Sequence, residues 1–324
     1  MSKYTEKSVL SGGASMLKYL IRRVAYMVVT LFIIVSITFF LMKLIPGSPF
    51  VNAQKLSEAQ QAVLNAKYGL DQPIPVQYFH YMINTFTGDL GVSFQFNNTS
   101  VTELLSYRVG PSAVLGLQAI ILGTIVGIFL GVVGALRQNT WVDYSATFLA
   151  VIGKSIPSFV FAGLLQYYIA VKLGLLPTQF WNGFEYTILP TIALAMFPIS
   201  ICARFMRTQM VEVLETDYIL LAKAKGAGYF EIAFKHAMRN ALIPVVTVLG
   251  PLTVSLMTGS LVIEKIFSIP GIGEQFVKAI TVNDYPVIMG TTILFAVLFV
   301  VVVFIVDILY GIIDPRIRVA GGNK

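Results

Sequence analysis

Six stretches of this 324-residue chain are apolar over long runs with no regular alternation of polar positions, at about 24–45, 110–135, 145–172, 187–206, 241–263 and 287–312. A helix crossing a hydrocarbon core of ~30 Å needs about 20 such residues, and in lipid only helices and closed barrels satisfy their own backbone groups. Continuous runs do not carry the two-residue alternation of barrel strands, so the pattern predicts an all-α polytopic membrane protein with six transmembrane helices. The longest connection, 46–109, has helical spacing of its own. SEAQQAVLNAKYGL offers a serine cap and apolar Ala59, Val63 and Ala66, ending at Gly69, and DQPIP separates it from VQYFHYMINTF. An ordered loop of this size is either a docking or gating element or a cap over the bundle.

Charge orients the spans. With the N-terminus inside, Lys18, Arg22, Arg23, Arg137, Arg204, Arg207, Lys223, Lys225, Lys235, Arg239, Arg316 and Arg318 all fall on the cytoplasmic side, while the opposite side keeps a scatter. This positive-inside asymmetry puts both termini in the cytoplasm and the 46–109 loop outside. Composition agrees: 56% hydrophobic, 12% charged and a mean hydropathy of +0.78 leave too little polar surface for a soluble domain. The net charge of +7 is then a consequence of topology and does not call for nucleic acid. Lys18, Arg22 and Arg23 before an apolar run resemble a signal peptide, but the run is longer than the ~7–15 residues of a signal core and no A-x-A site follows. It reads as an uncleaved first span, with residues 1–15 as a flexible tail and 16–324 as the membrane domain.

Catalytic apparatus is missing from the pattern. The single Cys202 excludes an internal disulfide or a CxxC site, and His80 and His236 have no ligand-like partners around them. Gly153-Lys154-Ser155 ends like a phosphate loop, but Phe148 stands where that loop needs its first glycine, and the segment is a span. Neither a nucleophile elbow nor HExxH occurs, so the chain reads as a non-enzyme.

Lys154 lies about nine residues, ~13 Å, inside the third span. A charge at that depth faces protein, water or an acid, and Asp307 at a comparable depth in the sixth span is the candidate partner. Lys154 and Asp307 therefore line a pathway or form a buried pair, or Lys154 snorkels to the headgroups. Gly123, Gly127 and Gly131 repeat every fourth residue and predict a close helix-packing seam. Pro157, Pro190, Pro198, Pro244 and Pro251 predict kinks.

One segment, DYILLAKAKGAGYFEIAFKHAMRNALIP at 217–244, breaks the apolar pattern within a cytoplasmic loop at 207–240. Asp217 is placed to cap a short helix with Tyr218, Leu221, Ala222 and Lys225 on one face. Gly226 and Gly228 can stop that helix. A second helix presents Phe230, Ala233, Phe234 and Ala237 at i, i+3, i+4, i+7. Two short amphipathic helices meeting at glycines form a knob whose apolar side chains need a headgroup layer or a cleft on another protein.

At these residues the chain resembles the permease subunits of binding-protein-dependent ABC importers. Their cytoplasmic E-A-A-x-x-x-G signature aligns with Leu220-Leu221-Ala222 and Gly226, with leucines in place of the Glu and first Ala. His236-Ala237-Met238-Arg239 occupies the later I-x-L-P position. These departures resemble the oligopeptide and dipeptide subgroup, as do KYGLDQPIPVQY, GDLGVSF, SIPSF, GSLVIEKIFSIPGIG and VDILYGIIDPRIR. The likeness is strongest to B-type oligopeptide permeases, and it implies the six-span ABC transporter type-1 arrangement in a bacterial cell membrane.

The resemblance implies a C-type permease as heterodimer partner, two ATPase subunits at the cytoplasmic face and an extracytoplasmic peptide-binding protein that delivers the peptide. ATP and magnesium would sit on the ATPases, with no cofactor on this chain. The knob would be the coupling helix, with Ala222, Lys223, Ala224, Lys225, Gly226, Gly228, Phe230, Glu231 and Phe234 at the ATPase contact. Nickel or glutathione import within the family is the alternative. A stand-alone secondary transporter or channel is the reading outside it, and that reading would call for an internal repeat or several intramembrane acids.

Overall fold

Over residues 2–44, 58–257 and 261–313, a computed structural model describes the chain as helices joined by short connections. The first helix, α1 (Ser2–Leu44), contains the first span as Ile21–Leu44. Residues 2–15, read from the sequence as a flexible tail, are helical as part of it; a formed helix extends at one hydrogen bond per residue added. Outside the membrane come α2 (Glu58–Lys67) and α3 (Ile74–Thr87). The serine expected to cap α2, Ser57, lies outside the described residues.

The second span, α4 (Val101–Leu136), begins nine residues earlier than its apolar run, at the end of a small turn. In that turn Val92 bridges Ser100, with Asn97 and Asn98 at positive φ. The third span is not one helix. α5 (Trp141–Ser155) and α6 (Ser158–Leu165), the latter continued by a π-helical Gln166–Lys172, meet at 102°. Pro157 has no N–H to give and forces the preceding residue out of the helical region, and Ile156 accordingly is extended at ψ 122. A kink was expected there, and the outcome is a break.

The other prolines are accommodated. α7 (Glu185–Leu214) runs through Pro190 and Pro198, and α10 (Met238–Met257) runs through Pro244 and Pro251. Between them on the cytoplasmic side lie α8 (Asp217–Ala224) and α9 (Tyr229–Glu231), the latter continued by a π-helical Ile232–Ala237 into α10. Past α10 come the short α11 (Leu261–Ile266) and α12 (Ile272–Thr281), then the last span α13 (Tyr285–Ile313). Among the described residues, five helices are long and apolar enough to cross a membrane, and six when the bent pair counts as one span.

The closest packing is between α4 and α7. A Cβ on Gly127 would stand 2.6 Å from Cys202 Cβ, and one on Gly131 2.6 Å from the Ala203 carbonyl. Gly123 would meet Pro198 in the same way. These three glycines face the side of α7 that carries Pro198, Cys202 and Ala203. At its cytoplasmic end, Val132, Ala135, Cys202, Met206, Met210, Ala241 and Val245 form one core with residues of the knob. Toward the outside, Leu115, Ala119, Leu189, Ala193, Ile263 and Phe267 form a second.

Candidate functional site

The segment 217–240 folds as a knob pinned to the bundle from within. Ile219, Ile232, Ala233 and Ala237 are buried, and Ile219, Ile232 and Ala237 share the core of α4, α7 and α10. Two hydrogen bonds add to this: the Tyr229 hydroxyl donates to the Leu136 carbonyl at 2.9 Å, and Asn240 Nδ2 to the Tyr218 hydroxyl at 2.8 Å. Gly226 ends α8 at φ +85, and Ala227 N–H returns to the Ala222 carbonyl at 3.1 Å, a glycine-dependent helix stop. Gly228 has the opposite duty, as the extended residue that opens the next helix.

Two expectations need correction. Thr216, not Asp217, precedes the first turn of α8; Asp217 is its first helical residue, where its charge still faces the positive end of the helix. Nor do Phe230, Ala233, Phe234 and Ala237 form one face. The π-helical stretch shifts the register, so Ala233 and Ala237 pack inward while Phe230 and Phe234 point out.

The outward surface is apolar and aromatic. Phe230 is 73% exposed and stacks on Phe234 at 6.5 Å between ring centres, and Leu220 and Leu221 on α8 are exposed too. Lys223, Ala224, Lys225, Gly226 and Gly228 are exposed, Ala222 is half-buried, and Glu231 is held by Lys235 at 2.9 Å on the helix surface. The knob thus buries Ile219, Ile232, Ala233 and Ala237 against the bundle and leaves Leu220, Leu221, Phe230 and Phe234 on its outer surface.

Lys154 is exposed at the end of α5, on a cavity of about 450 Å³ between α5 and α7 that also holds Arg204 and Arg207. The side chain of Asp307 lies outside the described residues. Helix α5 packs on α7 and α4, and α13 on α10 and α1. The acid that does enter this cavity is Asp143, which is 1% exposed and bound by Arg207. It also accepts Asn139 N–H at 3.0 Å. Sequence reasoning missed this pair; the available signal was an acid in the first turn of a span facing an arginine at the end of another.

A second buried acid was also missed. Glu264 accepts the Ser112 hydroxyl at 2.6 Å and Glu274 N–H at 3.0 Å, and the Ser112 oxygen in turn accepts Ile272 N–H at 2.9 Å. The carboxylate thus sits at the N-terminus of α12, where backbone N–H groups lack partners. Gly271 and Gly273 approach it so closely that neither could carry a side chain without displacing it. This accounts for the glycines of SIPGIG, which fold around the acid five residues upstream of Ile269.

Residues 123–319 match the family described as binding-protein-dependent transport system inner membrane component, and residues 16–108 match the N-terminal part described for such membrane components. The chain belongs to the binding-protein-dependent transport system inner membrane component family. This inner membrane component is 48% identical over 303 residues to the dipeptide transport system permease protein DppB of Lactococcus lactis, covering 94% of this chain and 100% of that one. It is 43% identical over 305 residues to the oligopeptide transport system permease protein OppB of Salmonella typhimurium, again covering 94% and 100%.

Among solved structures it resembles the inward-facing MetNI methionine ABC transporter, with TM-score 0.51 and 18% identity over 68% of this chain and 97% of that one. An amino acid ABC transporter matches with TM-score 0.51 and 14% identity over 64% and 94%. These likenesses establish the type-1 transmembrane fold. The family and its apolar helices make the chain a multi-pass protein of the bacterial plasma membrane.

Proposed function

We propose that this inner membrane component is one of two permease subunits of an ATP-driven importer and forms, with a C-type partner, a pathway for oligopeptides or dipeptides. Two ATPase subunits would dock on its cytoplasmic face, carrying ATP and magnesium, and an extracytoplasmic binding protein would deliver the peptide. Peptide cargo is supported by end-to-end likeness to dipeptide and oligopeptide permeases.

The observation that carries the mechanism is the two-sided knob. Its outer side, Leu220, Leu221, Phe230 and Phe234, suits a cleft on an ATPase. Its inner side is continuous with the core of α4, α7 and α10. A cleft that closes on ATP would push on Phe230 and Phe234, and the push would pass through Ile232 and Ala237 without slack, because a packed core transmits displacement. The spans α7 and α10 flank the knob in sequence and would move with it, giving the nucleotide a means of biasing two arrangements of the pathway.

The test has two parts. Purification from native membranes is expected to bring down a second permease, two ATPases and a peptide-binding protein; a lone homo-oligomer overturns the assembly. In the reconstituted complex, Phe230→Glu with Phe234→Glu is expected to abolish substrate-stimulated ATP hydrolysis and peptide uptake while the chain still inserts. Ala224→Glu at the rim is expected to act the same way more weakly. Unchanged hydrolysis and uptake in the double variant would place the ATPase contact elsewhere.

A further inference from the structure

The bundle has two apolar cores stacked along its length, an outer one with Leu115, Leu189 and Ile263 and an inner one with Val132, Met206 and Val245. Each is braced on its own side. In the outer body Gln166 Nε2 donates to the Thr178 carbonyl at 2.8 Å and to the Ile266 carbonyl at 3.3 Å, and Phe180 N–H donates to the Phe267 carbonyl at 2.9 Å. In the inner body Asp143 holds Arg207, and the Tyr229 hydroxyl holds the Leu136 carbonyl. The third span is shared between them: α6 packs on α7 and α11, and α5 on α7 and α4.

Where the cores meet, three spans lose a helix hydrogen bond at nearly the same height. The third span is broken outright at Ile156 and Pro157. In α7, Pro198 has no N–H for the Leu194 carbonyl, and in α10 Pro251 has none for the Thr247 carbonyl. Contacts at glycines set the heights. Gly123 of α4 meets Pro198, and Gly153, one turn before Pro157, meets Met196 and Ser200 on either side of Pro198. Gly116 meets Leu256, and α4 and α10 run in opposite directions, so the step from Leu256 back to Pro251 is matched on α4 by a step from Gly116 toward Gly123. Pro251 therefore lies within about one turn, ~5 Å, of the height of Gly123. A helix resists bending through its ladder of hydrogen bonds, and resistance drops where a rung is missing. One such place makes a kink; three at one height make a flexure.

We infer that the bundle flexes at this layer, the inner body swinging with the knob while the outer body keeps its internal packing. The inference rests on the importer reading and adds where the movement of α7 and α10 is taken up: at residues 194–198 and 247–251, with the break at 156–157 freeing α5 from α6. The inner end of the pathway can then change while the outer end stays braced.

The test uses the intact complex in liposomes, with spin labels on introduced cysteines; the native Cys202 is buried and stays unlabelled. Leu164→Cys on α6 with Glu212→Cys at the inner end of α7 spans the layer, and Trp141→Cys with Glu212→Cys lies within the inner body, all three positions being exposed. Between the nucleotide-free complex and the complex trapped with ATP and vanadate, the first distance is expected to change and the second to stay constant. Pro198→Ala with Pro251→Ala restores both hydrogen bonds and keeps the Cβ that faces Gly123. Its unfolding midpoint is expected to hold or rise while uptake of a labelled tripeptide falls roughly 30-fold, the cost of breaking two restored bonds in each cycle. The midpoint separates lost motion from lost fold. Absence of ATP-driven uptake by the wild type overturns the importer reading and this inference with it. Uptake with an unchanged first distance, with equal changes in both distances, or undiminished in the double variant overturns the flexure alone. Should the double variant fail to assemble, the two distances still decide.

Discussion

Asp143 and Arg207 close a two-point ion pair across the contact of α5 with α7, Nε to Oδ1 at 2.5 Å and Nη2 to Oδ2 at 2.6 Å. The two sides differ in their access to water: Asp143 is buried, whereas the Arg207 side chain is 31% exposed. Removing the arginine strands a buried carboxylate, and removing the acid leaves a cation that water can reach. Arg207→Met should therefore cost about 3–5 kcal/mol and Asp143→Asn only about 1–3 kcal/mol. Unfolding midpoints of the two variants in one detergent check the order, and an equal or reversed order would show that burial of the acid is not what sets the cost.

The seam of α4 on α7 makes a sharper steric prediction. On Gly131 a methyl group would meet the Ala203 carbonyl, which is backbone and cannot rotate away. Gly131→Ala is expected to destabilise by about 1–3 kcal/mol through overpacking. Gly163 on α6 has nothing within 4 Å of the same position. There the substitution should be neutral or favourable by up to about 1 kcal/mol, since alanine is the better helix former. A pair of variants that behaved alike would contradict the seam.

The apolar spans and the glycine at 226 that ends α8 were legible in the sequence because each rests on local chemistry. Lipid demands long apolar runs, and a positive φ selects glycine. The partnerships were not legible. Arg207 lies 64 residues from Asp143, and Ser112 lies 152 from Glu264. Their neighbourhoods mark an acid or an arginine at the end of a span but do not single out the other member. The knob shows the same limit at short range: Ala233 and Phe234 are neighbours in one apolar pattern, and only the π-helical stretch decides which turns inward. Pro157 announced a disturbance, but the 102° bend depends on what packs against α5 and α6.

Glu264 organises the outer end of the fifth span. Ser112 and two backbone groups converge on its carboxylate, and all of them are donors. Glu264→Gln replaces one acceptor oxygen with an NH₂ that must face a donor. The expected loss is about 1–3 kcal/mol, the cost of a buried group left without its partner. Gly271→Ala should be worse, because the methyl group would fall on the carboxylate itself. Thermal unfolding compared with the wild type checks both, and wild-type stability in Gly271→Ala would rule out the tight wrap around Glu264.

The link between Ser93 and Asp284 yields a pH dependence. The Ser93 oxygen accepts Phe96 N–H at 2.7 Å and Gln95 N–H at 3.2 Å, so its own proton goes to Asp284, which also accepts Phe94 N–H at 3.2 Å. Burial is the largest influence on Asp284 and raises its carboxyl above the ordinary value of 3.8, with these hydrogen bonds acting against it. The folded chain therefore takes up this proton at a higher pH than the unfolded chain does. The stability contributed is full below the ordinary value and is lost as pH rises through the raised one. Other carboxylates that are stabilised by folding slope the opposite way, so the wild type alone cannot isolate the effect. Subtracting the unfolding midpoints of Asp284→Asn, which cannot titrate there, does isolate it: the wild-type advantage should shrink from about pH 4 upward and then level off. A difference curve that is flat, or that grows with pH, would mean that the hydrogen bonds outweigh burial at Asp284.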